Sequence, residues 1–138
     1  MARPKILLAI PLLLAGTFLP AIRTPLTPLT AGVIGMSHEG YSKTVITIHT
    51  GDSITFQNNS RWIHVIGPGN DGVLATDVTV ASMSVAAGQF SLANMGMKPR
   101  VMMQENETYT TAAWNVPGTY LITCTVHPEM NAKVVVTE

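Results

Sequence analysis

Cysteine, charge and aromatic residues are all scarce in this chain of 138 residues. The single cysteine, Cys124, has no partner for an intrachain disulfide. Charged residues make up 12% of the chain, and from residue 32 onward five Lys and Arg face eight Asp and Glu, a net charge of −3. Because the sequence has no basic patch, nucleic acid is not an expected partner. Hydrophobic residues, at 46%, are sufficient for one domain with its own core.

The sequence also lacks a hydrophobic run long enough to cross a membrane as a helix. Its apolar stretch at 6–19 follows Arg3 and Lys5 and spans 14 residues, whereas a transmembrane helix needs about 20. A short positive segment followed by such a stretch is typical of a secretory signal. We expect residues 1–21 to be a signal peptide or, if uncleaved, an N-terminal anchor. The predicted location is therefore periplasmic or otherwise extracytoplasmic, with a membrane tether as the alternative to a free protein.

The remainder divides into a linker and one domain. Residues 22–31 are rich in Pro and Thr, and proline keeps such a segment extended and unpaired. Residues 32–138 alternate apolar and polar positions between Gly, Pro and Asn turns, which predicts an all-β sandwich. The predicted strands are 44–50, 53–58, 61–66, 85–92, 108–116, 119–124 and 132–137. The segments at 67–72 and 94–99 are predicted loops.

The most informative residues surround the only cysteine. Cys124 ends a predicted strand, and His127 and Met130 follow at intervals of three residues, while His64 lies 60 positions upstream on another predicted strand. A lone cysteine is usually a small buried hydrophobic residue. One thiolate, two imidazoles and a weak thioether, however, form the donor set of a type 1, or blue, copper electron-transfer site. Structural zinc sites rarely combine one Cys with a distant Met.

Other potential donors fit this pattern less well. His38 and His49 lie outside the ligand spacing and are expected to be surface residues. The methionines between 83 and 103 are soft Cu(I) donors, but methionine more often fills gaps in a core. An alternative is that Met95 and Met97 line an apolar docking surface near the copper.

The segment from Gly118 to Met130, with the Val-rich end after it, resembles the C-terminus of cupredoxins. Its two-residue gap between His127 and Met130 resembles the short ligand loop of the amicyanin-like members, which stand beside plastocyanin-like proteins in that family. The segment at 51–58, leading to His64, is similar to the strand before the first histidine ligand. This resemblance implies a Greek-key β-sandwich with one type 1 copper ion bound by His64, Cys124, His127 and Met130. One departure is Val65, where many relatives carry Asn, Ser or Thr.

The resemblance implies an electron carrier that shuttles single electrons between redox protein partners. Such partners are expected to dock near His127, whose ring edge we expect to be exposed, and the carrier is expected to be a monomer. Copper storage or delivery through the same site is the alternative. An enzyme is not expected, because only four histidines and no His-x-His pair are available for a second copper centre.

Overall fold

The computed structural model describes residues 29–75 and 95–138, and within these ranges the chain forms strands and no helix. The predicted all-β class is therefore confirmed. The strands are β1 Thr30–Met36, β2 Val45–His49, β3 Ser53–Asn58, β4 His64–Asn70, β5 Val73–Leu74, β6 Val101–Met103, β7 Thr108–Thr110, β8 Gly118–Cys124 and β9 Asn131–Thr137.

The strands form two sheets that make a Greek-key β-sandwich. The smaller sheet has the order β1-β3-β7, and the larger has the order β2-β9-β8-β4-β5, with β6 also paired to β4. Strand β1 pairs in parallel with β3, and β2 pairs in parallel with β9, so each parallel pair joins strands that are not consecutive in the sequence. Strand β8 runs antiparallel between β9 and β4. This central position gives β8, and Cys124 at its end, support from both sides.

Alternation along the strands builds the core between the sheets. In β2, Ile46 and Ile48 are buried while their neighbours are exposed, as expected for a half-buried strand. Ile54 and Phe56 of β3 are also buried, as predicted. Trp114 lies fully buried at 5.1 Å from Tyr120, ring centroid to ring centroid, and donates a hydrogen bond through Nε1 to Thr111 Oγ1. The partner for the indole N–H makes complete burial of this large side chain favourable.

Three sequence-based predictions about strand bounds are wrong. The predicted strand at 61–66 begins only at His64, and the predicted loop at 67–72 is strand up to Asn70, because a single strand, β4, runs from His64 to Asn70. Glycine is needed there for close packing, since a Cβ at Gly67 would overlap the carbonyl oxygen of Pro99. The predicted strand at 108–116 ends at Thr110, and Trp114 lies in the irregular segment beyond it.

The first described strand lies near the expected start of the domain. Strand β1 begins at Thr30 and pairs with β3 from Ser53 onward. Strands β1, β5 and β6 were not predicted, because they lack clear alternation. The expected signal or anchor at 1–21 and the expected strand at 85–92 lie outside the described residues. Within 29–75 and 95–138, no helix is long and apolar enough for a membrane span.

Candidate metal centre

The structure brings three of the predicted metal ligands together at one end of the sandwich. The Sγ atom of Cys124 lies 3.7 Å from Nδ1 of His64 and 3.9 Å from Nδ1 of His127. The three potential donor atoms all lie within 4.8 Å of one another. All three side chains are buried, and the thiol is free. The site is therefore a closed cluster with soft and borderline donors.

Strand register explains why residues 60 positions apart meet. In the antiparallel pair of β4 and β8, Ile66 faces Cys124. His64 is two residues before Ile66, so it points to the same face of the sheet. Because the pair is antiparallel, His64 lies beside the residues that follow Cys124, and these include His127. Two central strands of the larger sheet thus fix the relative position of the histidine and the cysteine.

The loop after Cys124 is closed by hydrogen bonds that involve Met130. The Met130 amide donates to the carbonyl of His127 at 2.9 Å, and the Cys124 amide donates to the carbonyl of Met130 at 3.1 Å. The Thr123 hydroxyl donates to the same Met130 carbonyl at 3.3 Å. The Met130 side chain is buried in the core cluster that includes Cys124. The thioether predicted as the weak donor is therefore carried by a short, tied loop.

A network behind His64 orients its ring. Ser60 Oγ lies 2.9 Å from His64 Nε2 and donates to Asn58 Oδ1 at 2.8 Å. Because the hydroxyl has one proton, Nε2–H is the donor to Ser60, and Nδ1 keeps its lone pair toward Cys124. The amide of the fully buried Asn58 donates in turn to the carbonyls of Trp62 and Gln104. A metal-binding histidine needs this arrangement, because a hydrogen-bond partner on the second ring nitrogen fixes the tautomer.

The local environment favours the neutral, metal-binding form of His64. Burial, and to a lesser degree the nearby imidazoles of His127 and His38, together lower the pKa of His64 from 6.5 to about 4. A neutral imidazole is required for metal binding. At neutral pH the ring is therefore uncharged, with its one proton on Nε2, so Nδ1 has no proton to lose when a metal enters.

The segment at 70–72 ties the ligand loop to β4. The Asp71 amide donates to Asn131 Oδ1 at 2.9 Å, and Asn131 Nδ2 donates to Asp71 Oδ1 at 3.1 Å. Gly72 has a φ of +79°, and a Cβ there would lie 2.7 Å from the Cβ of Pro128. Glycine is therefore required both by the turn and by the close approach of the ligand loop.

The link between the two ligand segments at Val65 uses the backbone. The Thr125 amide donates to the Val65 carbonyl at 2.9 Å. This bond joins the residue after Cys124 to the residue after His64 without a polar side chain. The departure from the cupredoxin pattern at Val65 therefore leaves the two segments connected.

Some expectations about the surroundings of the site are wrong. The His127 ring edge was expected to be exposed, but the residue is only 8% exposed. His38 is on the surface as expected, yet its ring contacts His127 with 5.0 Å between centroids. Met95 and Met97 are buried in the core, so they do not line a surface. Met102 is the exposed methionine of β6.

The donor set fits one type 1 copper ion. Two imidazole nitrogens and one thiolate can form the trigonal plane of such a site, and a nearby thioether can serve as the weak fourth donor. The fully buried thiol of Cys124 has two imidazole nitrogens within 4 Å of its sulfur. The fold and this cluster together define a cupredoxin-like protein.

Solved structures of amicyanin variants are among those similar to this chain. A Cu(I) form of one variant is 22% identical, covers 81% of this chain and 87% of its own, and gives a TM-score of 0.55. An oxidised form of another variant is 24% identical, covers 78% of this chain and 82% of its own, and gives a TM-score of 0.52. A reduced Cu(I) form of a third variant, at pH 4, is 23% identical, covers 80% of this chain and 92% of its own, and gives a TM-score of 0.53. No protein-family model and no curated protein matches the sequence.

Proposed function

We propose that this protein is a type 1 copper protein that carries single electrons between redox partners. The observation that carries the proposal is the buried cluster of His64, Cys124 and His127 on a cupredoxin fold. We propose Met130 as the fourth, weaker ligand, because it is buried at the end of the same short loop. Copper in such a site supplies reversible one-electron chemistry between Cu(II) and Cu(I).

The chain's own residues supply rigidity and exclude water. Strands β4 and β8 hold His64 and Cys124 in fixed register, and the hydrogen bond to Ser60 keeps the His64 ring from turning. Complete burial of Cys124 protects the thiolate from solvent. A site that cannot rearrange suits electron transfer, because little reorganisation accompanies each change in metal charge.

Copper storage or delivery is the alternative use of the same donors. A protein that delivers copper must release it, which requires an accessible ligand or a mobile loop. Of the described methionines between 95 and 103, Met95, Met97 and Met103 are buried in the core and Met102 alone is exposed, so they do not form a path of thioethers at the surface. The structure therefore gives the delivery function less support than the carrier function.

The experiment that separates these functions uses the copper-loaded full chain. Voltammetry should give a reversible one-electron couple, and the reduced protein should retain Cu(I) when challenged with an excess of a Cu(I) chelator. Rapid and complete transfer of Cu(I) to the chelator, with no reversible couple, would instead indicate delivery.

We further propose that the protein works outside the cytoplasm. The basis is the positive, apolar N-terminal sequence at 1–21. Fusing these residues to a reporter that is active only after export should yield activity, and replacing Arg3 and Lys5 by Glu should reduce it. A reporter that stays inactive would contradict export, and recovery of the reporter in membranes would indicate the anchored form.

A further inference from the structure

His127 is covered by a stack of two aromatic side chains. Its neighbours Val126 and Pro128 are exposed, yet His127 itself is 8% exposed. The His38 ring lies edge-to-face against His127, with 5.0 Å between centroids and an interplanar angle of 89°. Trp62 stacks on the other side of His38 at 4.8 Å and 27°. The rings of Trp62, His38 and His127 thus form a continuous series from the surface to the metal centre.

Tight turns hold both covering rings in place. The Ser37 amide donates to the Gly40 carbonyl at 2.9 Å, and Ser37 Oγ accepts from the Gly40 amide at 3.2 Å, so His38 lies within a closed turn. The Trp62 amide donates to Ser60 Oγ at 3.2 Å, and the Trp62 carbonyl accepts from Asn58 Nδ2 at 2.7 Å. Ser60 is also the partner of His64. The turn that positions Trp62 is therefore the same one that orients a metal ligand.

Neither ring is explained by the metal site or by the core. His38 does not belong to the group of donor atoms within 4.8 Å of one another in the described part of the chain. Trp62 is 55% exposed, although a tryptophan gains most when it is buried. An exposed aromatic stack beside a buried redox site points to a role in contact with another molecule.

We propose that Trp62 and His38 form a relay through which electrons pass between the surface and His127. This proposal rests on the proposed function. Packed rings provide a path without solvent-filled gaps, and electronic coupling falls steeply across such gaps. One electron leaves the reduced centre of one molecule and enters the oxidised centre of another. The rings serve only as the medium, so neither is oxidised or reduced and no proton moves.

Electron self-exchange between copies of the copper-loaded full chain tests the relay. It is measured by NMR line broadening in mixtures of the reduced and oxidised protein. His38→Ala and Trp62→Ala should each slow the exchange about tenfold or more, equivalent to about 1.4 kcal/mol in the barrier. Trp62→Phe keeps a ring and should stay close to the parent rate. His49→Ala is the matched control, because it removes another exposed imidazole. His49 lies beside Thr137, at the end of β9 that is away from the metal centre.

The absorption spectrum and reduction potential separate the relay from the proposed function. If the parent shows no copper band and no reversible couple, the proposed function itself fails. If His38→Ala and Trp62→Ala keep both properties but exchange at or above the parent rate, the relay is wrong and the carrier function remains. If both variants lose the copper band, the rings have a structural role and the relay is likewise overturned.

A second measurement needs no copper. In the metal-free protein, diethylpyrocarbonate should modify His127 slowly, because His38 covers it, and His38→Ala should make this modification several times faster. Mass spectrometry of the modified peptides gives the rate for each histidine. An unchanged rate at His127 would show that His38 does not cover the ring, which would remove the basis of the relay.

Discussion

At the scale of single residues, hydrogen bonds to one ring decide which nitrogen of His64 is free to bind a metal. The Ser60 hydroxyl accepts a hydrogen bond from Nε2–H and donates one to Asn58 Oδ1. Nδ1 is then left as an acceptor, 3.7 Å from the cysteine sulfur. The chain thus selects the tautomer before any metal arrives, which reduces the cost of binding.

Loss of the Ser60 hydroxyl should weaken copper binding. In Ser60→Ala, the His64 ring has no partner at Nε2, so both tautomers and several orientations become accessible. We expect copper affinity to fall roughly 10- to 100-fold, the usual effect of losing an outer partner of a metal-binding histidine. Competition with a chelator of known affinity measures this change.

Ser42→Ala is the control for this prediction. The Ser42 hydroxyl accepts a hydrogen bond from the Gly35 amide at 2.8 Å and belongs to a different part of the fold from β4. Its loss should leave copper affinity unchanged. Equal affinities for Ser60→Ala and Ser42→Ala would show that the hydroxyl does not orient His64.

The cluster of His64, Cys124 and His127 was predictable from sequence, whereas the residues that support it were not. The proposed ligands, these three and Met130, combine unusual donor types at a recognisable spacing. Ser60 could have been suspected from its position four residues before His64. His38 and Trp62 gave no such signal, because His38 contacts His127 and Trp62 contacts His38 from separate turns that only the folded chain brings together.

A buried tyrosine near the site offers a separate test of the core. The Tyr41 hydroxyl is buried and has no hydrogen-bond partner among the residues that the structure describes. Burial, and to a lesser degree the Cys124 thiolate, raises the pKa of Tyr41 far above its usual value. An unpartnered buried hydroxyl is destabilising, so Tyr41→Phe should raise the free energy of unfolding by about 1 kcal/mol.

Tyr120→Phe is the matched control for Tyr41→Phe. The Tyr120 hydroxyl donates to the Val116 carbonyl at 2.7 Å, so its removal should lower stability by about 1 kcal/mol. Urea unfolding of both variants gives the comparison. A comparable loss of stability in Tyr41→Phe would show that its hydroxyl has a partner.

At the scale of elements, the turn at 70–72 acts as a support for the ligand loop. It reverses the chain from β4 into β5 with positive φ at Asp71 and Gly72, as two-residue hairpin turns require. It also contacts the ligand loop through Asn131 and Pro128. Movement of this hairpin would therefore be transmitted to His127.

Gly72→Ala should disturb both stability and the copper site. Alanine at positive φ costs about 1 kcal/mol, and its Cβ would also push against Pro128, for which overpacking adds about 1–3 kcal/mol. Gly51→Ala is the control, because Gly51 has a φ of +91° and open space around its Cβ position. It should show only the backbone cost and an unchanged copper spectrum. Equal unfolding free energies and equal spectra for the two variants would contradict a supporting role for the hairpin.

Strands were predictable where apolar and polar side chains alternate. They were not predictable where another segment packs closely against the strand's backbone. The alternation in β2, β3, β8 and β9 is regular, and their predicted bounds agree with the structure to within one residue at each end. Strand β4 continues through Gly67 and Gly69, which indicate a loop in sequence but are needed for close approach in the fold. Such approaches depend on distant segments, so local patterns do not reveal them.

At the scale of the whole molecule, two sheets form a rigid support for a site at one end. The core extends from Ile34 and Phe56 in the smaller sheet to Ile122 and Val134 in the larger one. Cys124 belongs to this core and to the metal cluster at the same time. The candidate metal site is thus built onto the packed interior, and among the described residues the loop after Cys124 and the aromatic stack lie between it and the surface.

The visible absorption spectrum of the Cu(II)-loaded full chain tests the central claim most directly. Charge transfer from the Cys124 thiolate to Cu(II) in a trigonal site should make the protein intensely blue. Cys124→Ser should abolish the band while circular dichroism still reports a folded β-sandwich, because the core consists of many other side chains. A pale Cu(II) complex in the parent, or an intense band that survives in Cys124→Ser, would contradict the assignment of a type 1 copper site.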